Sequence, residues 1–427
     1  MTILFDEHVQ TDAEVAAHGA LIGPSPASQR ELRTHLVAHG AVPAMDANAV
    51  LRLAVDSGLT GHGGAGFPLY RKLEAVIAAR GRAIVVANGA EGEPASAKDR
   101  WLLARRPHLV LDGLQLVARA TKATDAYLYA NHRLDVAVLT DLLAERRRAG
   151  LDPVSVTVVA APDAFISGEE TAVVSHISGS AALPRFKSPR VTERGVRGRP
   201  TLVSNVETLA LLSLIARRGA AWFRSAGTPD APGTMLLTVG GAVRAPGIVE
   251  TGHGTPLADV LALAGGPLTQ LQAVLLGGYH GTWLTADEMT FAKLSRSDLA
   301  PLGASPGAGV VVALGAGTCG LVEMSRVMSY LAEESAGQCG PCLNGLPRIA
   351  NELKSVAFGG GGGRRAVNEM VRLGGIVLGR GACHHPDGSM RFLRSGLRVF
   401  AAEVELHLAG RCSRTSADVV LPTAVTR

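Results

Sequence analysis

Glycine residues are concentrated in a loop at residues 61–68 of this 427-residue sequence, where they read GHGGAGFP. Such a loop exposes backbone N–H groups, so it can hold a phosphate group or lie against a flat ring. It can also be a tight packing turn. A dinucleotide-binding fingerprint needs a strand directly before the loop, whereas residues 49–57 have the pattern of a helix. An ordinary Rossmann dinucleotide site at this loop is therefore not the favoured interpretation.

Two acidic residues follow a predicted strand at residues 83–87. Glu91 and Glu93 belong to the segment NGAEGEP, and a single glycine separates them. Open α/β sheets bind ligands at the carboxyl ends of their strands. Carboxylates at such an edge suit the hydroxyl groups of a ribose or a ribityl chain. The alternative is a solvated acidic turn without a ligand.

Two further motifs, SGEET and SNVE, stand where helices are predicted to begin. Ser167 and Glu170 have the spacing of a capping box, and so have Ser204 and Glu207. Capping is the favoured role of Ser167, Ser204 and Glu207, but it explains less well the two residues between Ser167 and Glu170. If both helix N-termini point into one crevice, they form a site for an anion.

Three of the five cysteines have a spacing typical of a metal site. Cys339 and Cys342 form a CxxC pair, and Cys383 lies on a distant segment. Five unevenly spaced cysteines do not make a disulfide framework. Because CxxC places two ligands on one turn and a distant loop can close the site, three thiolates suit an iron–sulfur cluster.

Two alternatives to the cluster remain open. The three thiols and His384 would form a Cys₃His zinc set, although the side chains of adjacent residues diverge, and His385 or Asp387 is no worse a ligand. The other alternative is that these thiols bind no metal. Cys319 and Cys412 are predicted to be inert, as free cysteines in protein interiors commonly are.

The pattern of apolar residues predicts the scaffold that must position these groups. Short β-branched runs at residues 83–87, 126–130 and 155–160 alternate with helical stretches at 101–121 and 134–148. This alternation is typical of βαβ units, in which helices cover a parallel sheet.

The chain changes character twice after this region. Residues 235–240, 273–277 and 310–314 predict strands around one short helix near 257–264. The last quarter of the chain is predicted to be helical, and its last helix is predicted at 390–407. A five-glycine run at 359–363 is predicted to be a flexible loop. The predicted units are an extension at 1–45 that packs on a neighbour or stays mobile, an α/β domain at 46–226, an α+β module at 234–316, a helical domain at 319–412 and a tail at 413–427.

Composition excludes several classes of protein. With 47% hydrophobic residues, the chain can fill several cores and is not a disordered polymer. Aromatic residues make up only 4% and the net charge is +5, so nucleic acid is not an expected partner. Neither a signal peptide nor an uncharged apolar run of about 18 residues is present. The predicted location is the cytoplasm, without direct membrane insertion.

Five segments together resemble one flavoprotein family, and they follow one another in that family's order. The sequence resembles the family of the FMN-carrying, NADH-oxidising 51-kDa protein of respiratory complex I, which has relatives in NAD-linked hydrogenases and formate dehydrogenases. The segments are GLTGHGGAGFPLYRKL at 58–73, NGAEGEPASAKDR at 88–100, FISGEETA at 165–172, GRPTLVSNVETLA at 198–210 and ESAGQCGPCLNG at 334–345.

The resemblance implies a fold of class α/β plus α+β. Its parts would be a Rossmann-like FMN domain, a ubiquitin-like β-grasp module of the SLBB type and a C-terminal helical bundle with an iron–sulfur site. By matching position, Phe67, Glu93 and Lys187 would meet the nicotinamide nucleotide, and Glu93 and Glu170 are the predicted catalytic residues. The residues implied to line FMN are Gly61, Gly63, Gly64, Lys72, Asn88, Glu91, Gly168, Glu169, Glu170 and Asn205.

Several positions depart from the family pattern. His62 stands in place of an arginine, Ala90 in place of an aspartate, and Ser204 in place of one asparagine of a pair. Ala75 and Arg190 replace two aromatic residues that would hold the adenine. Because stacking of an aromatic ring on a base contributes about 1–3 kcal/mol, these two changes predict weaker dinucleotide binding.

Two more departures concern charge and the cluster. The run at 185–199 is basic and suits a 2′-phosphate or an acidic ferredoxin, although a solvated basic loop explains it equally well. Ala336 replaces the family's first cluster cysteine, so Cys339, Cys342 and Cys383 remain. The cluster would then be a [4Fe–4S] centre with an unusual fourth ligand, or a [3Fe–4S] centre.

The resulting functional hypothesis is an FMN-dependent oxidoreductase. It would pass electrons from NADH or NADPH through FMN and the cluster to a ferredoxin-like or quinone-linked protein, as one component of a hetero-oligomer. It would be cytoplasmic or associated with a membrane through that partner. Two alternatives are an FMN-carrying chain that a partner protein reduces and that does not bind NADH itself, and a non-catalytic scaffold.

Overall fold

The computed structural model describes residues 15–16, 19–23, 29–131, 133–186, 188–359, 363–415 and 419–423. Its strands are β1 Val15–Ala16, β2 Ile84–Gly89, β3 Asp125–Ala130, β4 Val156–Ala160, β5 Thr201–Asn205, β6 Thr234–Gly241, β7 Gly247–Gly252, β8 Leu271–Leu276, β9 Thr282–Thr285 and β10 Val310–Gly315. Its α-helices are α1 Leu32–His39, α2 Ala47–Ser57, α3 Leu69–Ala78, α4 Lys98–Arg105, α5 Pro107–Ala120, α6 Val136–Arg148, α7 Glu170–Ile177, α8 Val206–Arg218, α9 Ala220–Arg224, α10 Leu257–Leu263, α11 Ala286–Phe291, α12 Arg296–Leu299, α13 Gly320–Glu333, α14 Leu346–Phe358, α15 Gly363–Val377, α16 His385–Val399 and α17 Ala401–Leu408.

Four strands form an all-parallel sheet in the order β4–β3–β2–β5. In chain order, β3 and then β4 are added on one side of β2, and β5 is added on the other side of β2. The direction of building therefore reverses between β2 and β5, and such a switch point is where open α/β sheets bind ligands. Asn88 and Asn205 lie opposite each other in register at this point.

Both faces of the parallel sheet are buried, which explains the unbroken apolar runs that predicted its strands. Successive side chains of a strand point to opposite faces. Val85 and Ala87 of β2 accordingly pack into a core with α2, α3, α5 and α8. Ile84 and Val86 pack into a second core on the other face, with α7.

The single helix predicted at residues 101–121 is wrong, because the structure has two helices there. Helix α4 ends at Arg105 and α5 begins at Pro107. Proline lacks a backbone N–H and disfavours a helical conformation of the residue before it. Arg106 takes non-helical angles (φ −136°, ψ 41°) and its guanidinium donates to the carbonyl of Ile22 at 2.6 Å.

The second sheet has six strands in the order β1–β7–β6–β10–β8–β9. Two pairs in this sheet are parallel, β1 with β7 and β6 with β10. The pairs β6 with β7, β10 with β8 and β8 with β9 are antiparallel, and α10 packs on one face. Sequence patterns predicted β6, β8, β10 and α10 but missed β7 and β9. Val311 and Ala313 face the α10 side, whereas Val312 and Leu314 face the helical bundle. The module thus shares a core with the C-terminal helices.

Helices α13 to α17 form the C-terminal bundle. The single helix predicted at 390–407 is wrong, since α16 ends at Val399 and α17 begins at Ala401. The break at Phe400 turns its ring toward α13, where a Cβ on Gly320 would lie only 2.2 Å from a ring carbon. The predicted glycine loop at 359–363 falls largely outside the described residues.

The predicted fold class is confirmed, with a Rossmann-like sheet, a β-grasp module and a helical bundle. The described part of the predicted extension packs on the rest of the chain. Strand β1 pairs with β7, and the carboxylate of Glu250 accepts the backbone N–H groups of Leu21 and Ile22 at 2.8–3.0 Å. The boundaries of the units stay predictions.

Candidate functional site

A cleft opens at the carboxyl edge of the parallel sheet, where the strand order reverses. It consists of a larger cavity of about 680 Å³ and a smaller cavity of about 550 Å³. Six residues line both cavities, so the two cavities lie side by side. The residues of this shared wall are Gly63, Ala65, Asn88, Gly168, Glu169 and Asn205.

The glycine loop forms one side of the cleft, between α2 and α3. A helix precedes it, as the sequence predicted. The N–H of Gly61 donates to the Phe67 carbonyl at 2.9 Å. The loop lies directly against the end of β5, because a Cβ on Gly63 would be 3.4 Å from the Cβ of Asn205. Gly64 has φ +105°, a conformation that favours glycine.

His62 occupies the loop position where the resemblance predicted an arginine. Its imidazole is buried, and burial lowers its pKa. Neither ring nitrogen has a hydrogen-bond partner among the described residues, and Nε2 lies 3.9 Å from Glu207 Oε1. A neutral imidazole here cannot replace the permanent charge of an arginine.

The two strand-end asparagines join the elements around the cleft. Asn88 Nδ2 donates to the carbonyl of Gly168 at 2.9 Å. Asn205 Nδ2 donates to Asp99 Oδ2 at 2.7 Å. Because both amides are anchored, this wall of the cleft is preorganised.

The predicted capping box at Ser167 and Glu170 is wrong. A short 3₁₀ turn at Phe165–Gly168 delays the start of α7, so Glu169 becomes its N-cap. The Glu169 carboxylate accepts the N–H groups of Thr171 at 2.8 Å and Ala172 at 3.1 Å. Ser167 instead donates to a carbonyl within the turn.

The predicted capping box at Ser204 and Glu207 is wrong for a similar reason. Strand β5 continues through Ser204, and Asn205 caps α8 by accepting the N–H of Glu207 at 2.9 Å. The Glu207 side chain is fully buried and accepts from Lys98 at 2.8 Å and from the N–H of Leu236 at 2.8 Å. It therefore links the parallel sheet to the β-grasp module.

Glu91 lines the larger cavity, but its carboxylate is bound to the protein itself. It accepts from the Ser96 hydroxyl at 2.7 Å and from the N–H groups of Asp99 at 2.9 Å and Arg100 at 3.0 Å. The side chain of Glu91 thus holds the start of α4 in place. The backbone of Glu91 itself has φ +46°. Few lone pairs of the Glu91 carboxylate are left for a ligand hydroxyl.

Glu93 has a different environment, although it is only two residues away. Its side chain is buried, Oε2 accepts the N–H of Tyr279 at 2.9 Å, and Oε1 has no partner among the described residues. Burial raises the pKa of Glu93 to about 8. A Cβ on Gly278 would lie 2.5 Å from Oε2, so this close approach requires glycine. Glu93 thus presents a protonated carboxyl group to the larger cavity at neutral pH.

Lys72 and Glu170 form an ion pair in the lining of the smaller cavity. Lys72 Nζ donates to Glu170 Oε1 at 2.7 Å and to the carbonyl of Val203 at 2.9 Å. The lysine side chain is 24% exposed and the glutamate 40%, so a bound molecule can reach both. The pair offers one positive and one negative group close to the shared wall.

The structure describes some, but not all, of the residues predicted to contact the dinucleotide. Phe67 is 41% exposed and lines the smaller cavity. Ala75 and Arg190, which stand at the expected aromatic positions, line the same cavity. Lys187 lies outside the described residues, so its predicted contact stays a prediction.

The three predicted cluster thiols lie beside one another at the start of α14 and the loop before α16. Cys342 and Cys383 are buried and Cys339 is half-buried. Burial, followed by the neighbouring thiols of Cys339 and Cys383, raises the pKa of Cys342 to about 12. Because Cys339 and Cys383 are close enough to affect the Cys342 thiol, the three sulfurs suit the ligation of an iron–sulfur cluster. The imidazole of His384 is 78% exposed and pairs with Asp387 at 3.4 Å, which does not favour the Cys₃His alternative.

Cys383 also lines the larger cavity of the cleft. The cavity therefore extends from Asn88 at the sheet edge to one of the cluster thiols. His280 and His385 lie on this side, with 3.1 Å between His280 Nε2 and His385 Nδ1. Phe165 packs edge-on against both rings, at 4.8 and 5.6 Å between ring centroids.

Sequence reasoning assigned no role to Lys98 and Asp99, which also line the larger cavity. Lys98 Nζ donates to Asp99 Oδ1 at 2.7 Å and to Glu207 Oε2 at 2.8 Å, and all three side chains are buried. Burial raises the pKa of Asp99 to about 6, although the charge of Lys98 opposes this. Both residues belong to the segment NGAEGEPASAKDR, so the family resemblance could have identified them as candidate site residues.

A glycine-lined cleft at a switch point, joined to three thiols, defines an electron-transfer protein that combines a flavin with an iron–sulfur centre. The chain matches the Nuo51 FMN-binding domain over residues 55–213, the SLBB domain over 236–278 and the NADH-ubiquinone oxidoreductase-F iron–sulfur binding region over 323–407.

Individual relatives agree with these matches. A component of the NADH-quinone oxidoreductase of Rhizobium meliloti (strain 1021) is 32% identical over 378 residues, which are 85% of this chain and 89% of that protein. Its counterpart in the NADH-quinone oxidoreductase of Streptomyces coelicolor is 30% identical over 387 residues, 86% of this chain and 85% of that one. The chain belongs to the family of these FMN-binding and iron–sulfur components of NADH-quinone oxidoreductases.

Solved structures of an NAD⁺-reducing [NiFe]-hydrogenase show the same architecture. The H₂-reduced form has a TM-score of 0.79 and the air-oxidised form 0.80, each at 31% identity and over 85–87% of this chain. The chain spans only 62–64% of those hydrogenase chains.

The predicted family, the oxidoreductase class and the FMN and iron–sulfur character are confirmed. None of the helices in the described ranges is both long and apolar enough to span a bilayer.

Proposed function

We propose that this chain oxidises NADH or NADPH and delivers the electrons, through FMN and an iron–sulfur cluster, to a protein partner. The observation that carries the proposal is the larger cavity, which extends from the switch point at Asn88 to Cys383. Bound in this cleft, FMN supplies the exchange between hydride transfer with a nicotinamide and one-electron transfer with a cluster.

The residues of the shared wall and of the smaller cavity suit the flavin. Gly61, Gly63 and Gly64 bring bare backbone close to a bound ring, while Asn88 and Asn205 hold the wall rigid. Lys72 offsets negative charge near its ammonium group, and Glu170 keeps that group oriented at 2.7 Å. Gly168 and Glu169 complete the wall at the N-terminus of α7, where the helix dipole stabilises the Glu169 carboxylate that caps the helix.

Glu93 is the residue best placed to hold a proton in the cleft. Its carboxyl group is protonated near neutral pH and can donate a hydrogen bond that no described residue accepts. We assign it the role of orienting the nicotinamide nucleotide. Phe67 and Lys187 would contact the same nucleotide, as predicted from the resemblance.

The cluster would be held by Cys339, Cys342 and Cys383. Ala336 removes the fourth thiol, so the centre would be a [4Fe–4S] cluster with a different fourth ligand or a [3Fe–4S] cluster. The Ser335 side chain hydrogen-bonds to Cys342, which places one oxygen donor beside the group.

The partner would be a ferredoxin-like or quinone-linked protein within a hetero-oligomer. The complex would be cytoplasmic or attached to a membrane through that partner.

One observation favours a second candidate function, in which a partner protein reduces the flavin. Ala75 and Arg190 line the smaller cavity without offering an aromatic surface for adenine. On this alternative, the chain binds FMN but has no measurable affinity for a dinucleotide. The scaffold alternative is not retained, because the family is one of oxidoreductases.

Anaerobic titration of the FMN-loaded chain with NADH and NADPH tests the donor. The main proposal predicts that at least one of them bleaches the flavin absorbance with saturation. If dithionite bleaches the flavin but neither dinucleotide does, the partner-reduced alternative replaces the main proposal. If the chain does not retain FMN, both are contradicted.

A further inference from the structure

Four metal-binding side chains meet at the end of α13 that is remote from the cluster thiols. They are Cys319, Glu403, His407 and Cys412, and one ligand atom from each lies within 4.8 Å of all the others. Cys319 Sγ is 3.3 Å from Glu403 Oε2 and 3.3 Å from His407 Nε2, and the latter two atoms are 3.6 Å apart.

These separations agree with a tetrahedral metal site. Zinc binds sulfur at about 2.3 Å and nitrogen or oxygen at about 2.0–2.1 Å. Tetrahedral angles then place neighbouring ligand atoms about 3.3–3.8 Å apart. The three measured distances lie within or close to this range, so the first three ligands need little movement to bind an ion.

The fold presents each ligand from a defined element. Cys319 is the N-cap residue of α13, and Glu403 and His407 are one turn apart on the same side of α17. Cys412 follows the end of α17. The side chains of Cys319, Glu403 and His407 are buried, whereas Cys412 is exposed. An ion can therefore enter from the Cys412 side, and Cys412 can close the site behind it.

The group is separate from the iron–sulfur thiols. Cys319 precedes α13 and the CxxC pair follows it, and the 14 residues of this helix span about 21 Å. The match to the family's iron–sulfur region covers residues 323–407. Cys319 and Cys412 both lie beyond that match, so the known cluster does not account for them.

We propose that Cys319, Glu403, His407 and Cys412 form a structural site for a divalent zinc-class cation. Two thiolates, an imidazole and a carboxylate are ligands that zinc favours, and four protein ligands make a closed structural site. Cys319 and Cys412 were predicted to be inert, and the proposal replaces that prediction. The sequence concealed the site because its two thiols lie far apart in the chain and neither belongs to a CxxC pair.

The site would hold the C-terminal segment on the bundle. That segment is attached beyond Cys412 by the N–H of Thr415, which donates to the carbonyl of Gly317 at 3.0 Å. The N–H of Leu421 donates to Glu323 Oε2 at 2.9 Å, and Leu421 itself is buried. A metal bond at Cys412 would fix the chain between α17 and these contacts.

The metal content of the purified full-length chain, measured by mass spectrometry, tests the site. We expect one zinc per chain, and Cys412→Ser and His407→Gln, which each remove one of the four ligands, should each bring the zinc content well below one per chain. Cys342→Ser, which removes a thiol of the other group, should retain the zinc. Because Cys412 is exposed, its variant keeps the fold even if His407→Gln does not.

X-ray absorption at the zinc edge identifies the ligands. The proposal predicts two sulfur and two nitrogen or oxygen neighbours. A shell of three sulfurs would place the zinc at Cys339, Cys342 and Cys383 and overturn the proposal. The proposal would also be overturned if Cys412→Ser retained all of its zinc, if the unchanged chain contained no zinc, or if Cys319 and Cys412 formed a disulfide.

Discussion

The two cavities of the cleft differ in the burial and the pairing of the charged groups that line them. The larger cavity contains buried groups with raised pKa values, Glu93 and Asp99, and ends at the thiol of Cys383. The smaller cavity contains a partly exposed ion pair, Lys72 with Glu170. We infer that the larger cavity holds protons and passes electrons onward, while the smaller one binds anionic groups. Buried charge is costly unless it is paired, so the larger cavity should be far more sensitive to substitution.

The largest effect on stability is expected at Lys98 in the larger cavity. Lys98→Met leaves the buried carboxylates of Asp99 and Glu207 without their cation, which should lower the free energy of unfolding by about 3–5 kcal/mol. Urea denaturation measures the change. Lys354→Met, at an exposed position, serves as the control and should change stability by no more than about 0.5 kcal/mol. If both variants lowered the free energy of unfolding equally, the buried pairing of Lys98 with Asp99 and Glu207 would be contradicted.

Glu93 should make the stability of the chain depend on pH. Its pKa rises from 4.5 to about 8 on folding, so the folded state binds an extra proton between these values. Its contribution is fully present below about pH 4.5 and is lost as the pH rises toward 8, at up to about 1.4 kcal/mol per pH unit. Glu93→Gln, which stays neutral, should remove this slope.

Chemical denaturation at a series of pH values between 5 and 8 measures that slope. Glu74→Gln, an exposed substitution on α3, is the control and should keep the slope of the unchanged chain. An identical slope in Glu93→Gln would show that Glu93 is ionised when folded.

A smaller effect is expected for flavin affinity in the smaller cavity. Lys72→Met removes a charged donor, and a hydrogen bond to a charged group contributes about 1.5–3 kcal/mol. We expect FMN to bind roughly tenfold more weakly, as measured by quenching of flavin fluorescence. Arg80→Met, an exposed cation after α3 that lines neither cavity, should leave the affinity unchanged. If Lys72→Met binds FMN as tightly as the unchanged chain does, Lys72 does not contact the flavin.

The smallest effect concerns the missing aromatic surface. Ala75→Phe adds a ring to the smaller cavity and should strengthen NADH binding by about 1 kcal/mol, the lower end of base stacking. Ala78→Phe, on the exposed side of the same helix, is the matched control. Titration of the FMN-loaded variants with NADH measures both. If both variants behave alike, adenine does not lie at residue 75.

The sequence predicted the scaffold better than the contacts within the site. Strands β2, β3 and β4 were predicted to within one or two residues, since strands buried on both faces have continuous apolar runs. Strand β7 was missed because it carries the buried Glu250, whose partners at residues 21 and 22 are remote in sequence. Local patterns indicate nothing about such distant partners.

The same limit explains the errors at the site. The motifs placed Glu91 and Glu93 in the cleft, but only the structure shows that Glu91 is bound to the start of helix α4 and that burial raises the pKa of Glu93. Neither predicted capping box forms, because the preceding turn and strand extend further than the motifs show and Glu169 and Asn205 cap the two helices instead. The contacts of Lys98 and Cys319 depend on the tertiary fold.

We propose that the larger cavity joins the flavin to a cluster at Cys383. Electron paramagnetic resonance of the anaerobic, cofactor-loaded chain tests it directly, before and after addition of whichever dinucleotide bleaches the flavin. We predict that this dinucleotide changes the signal of an iron–sulfur centre, and that Cys383→Ser abolishes the change while FMN remains bound and reducible. A signal that the dinucleotide leaves unchanged although the flavin is bleached, or that survives in Cys383→Ser, would contradict the account.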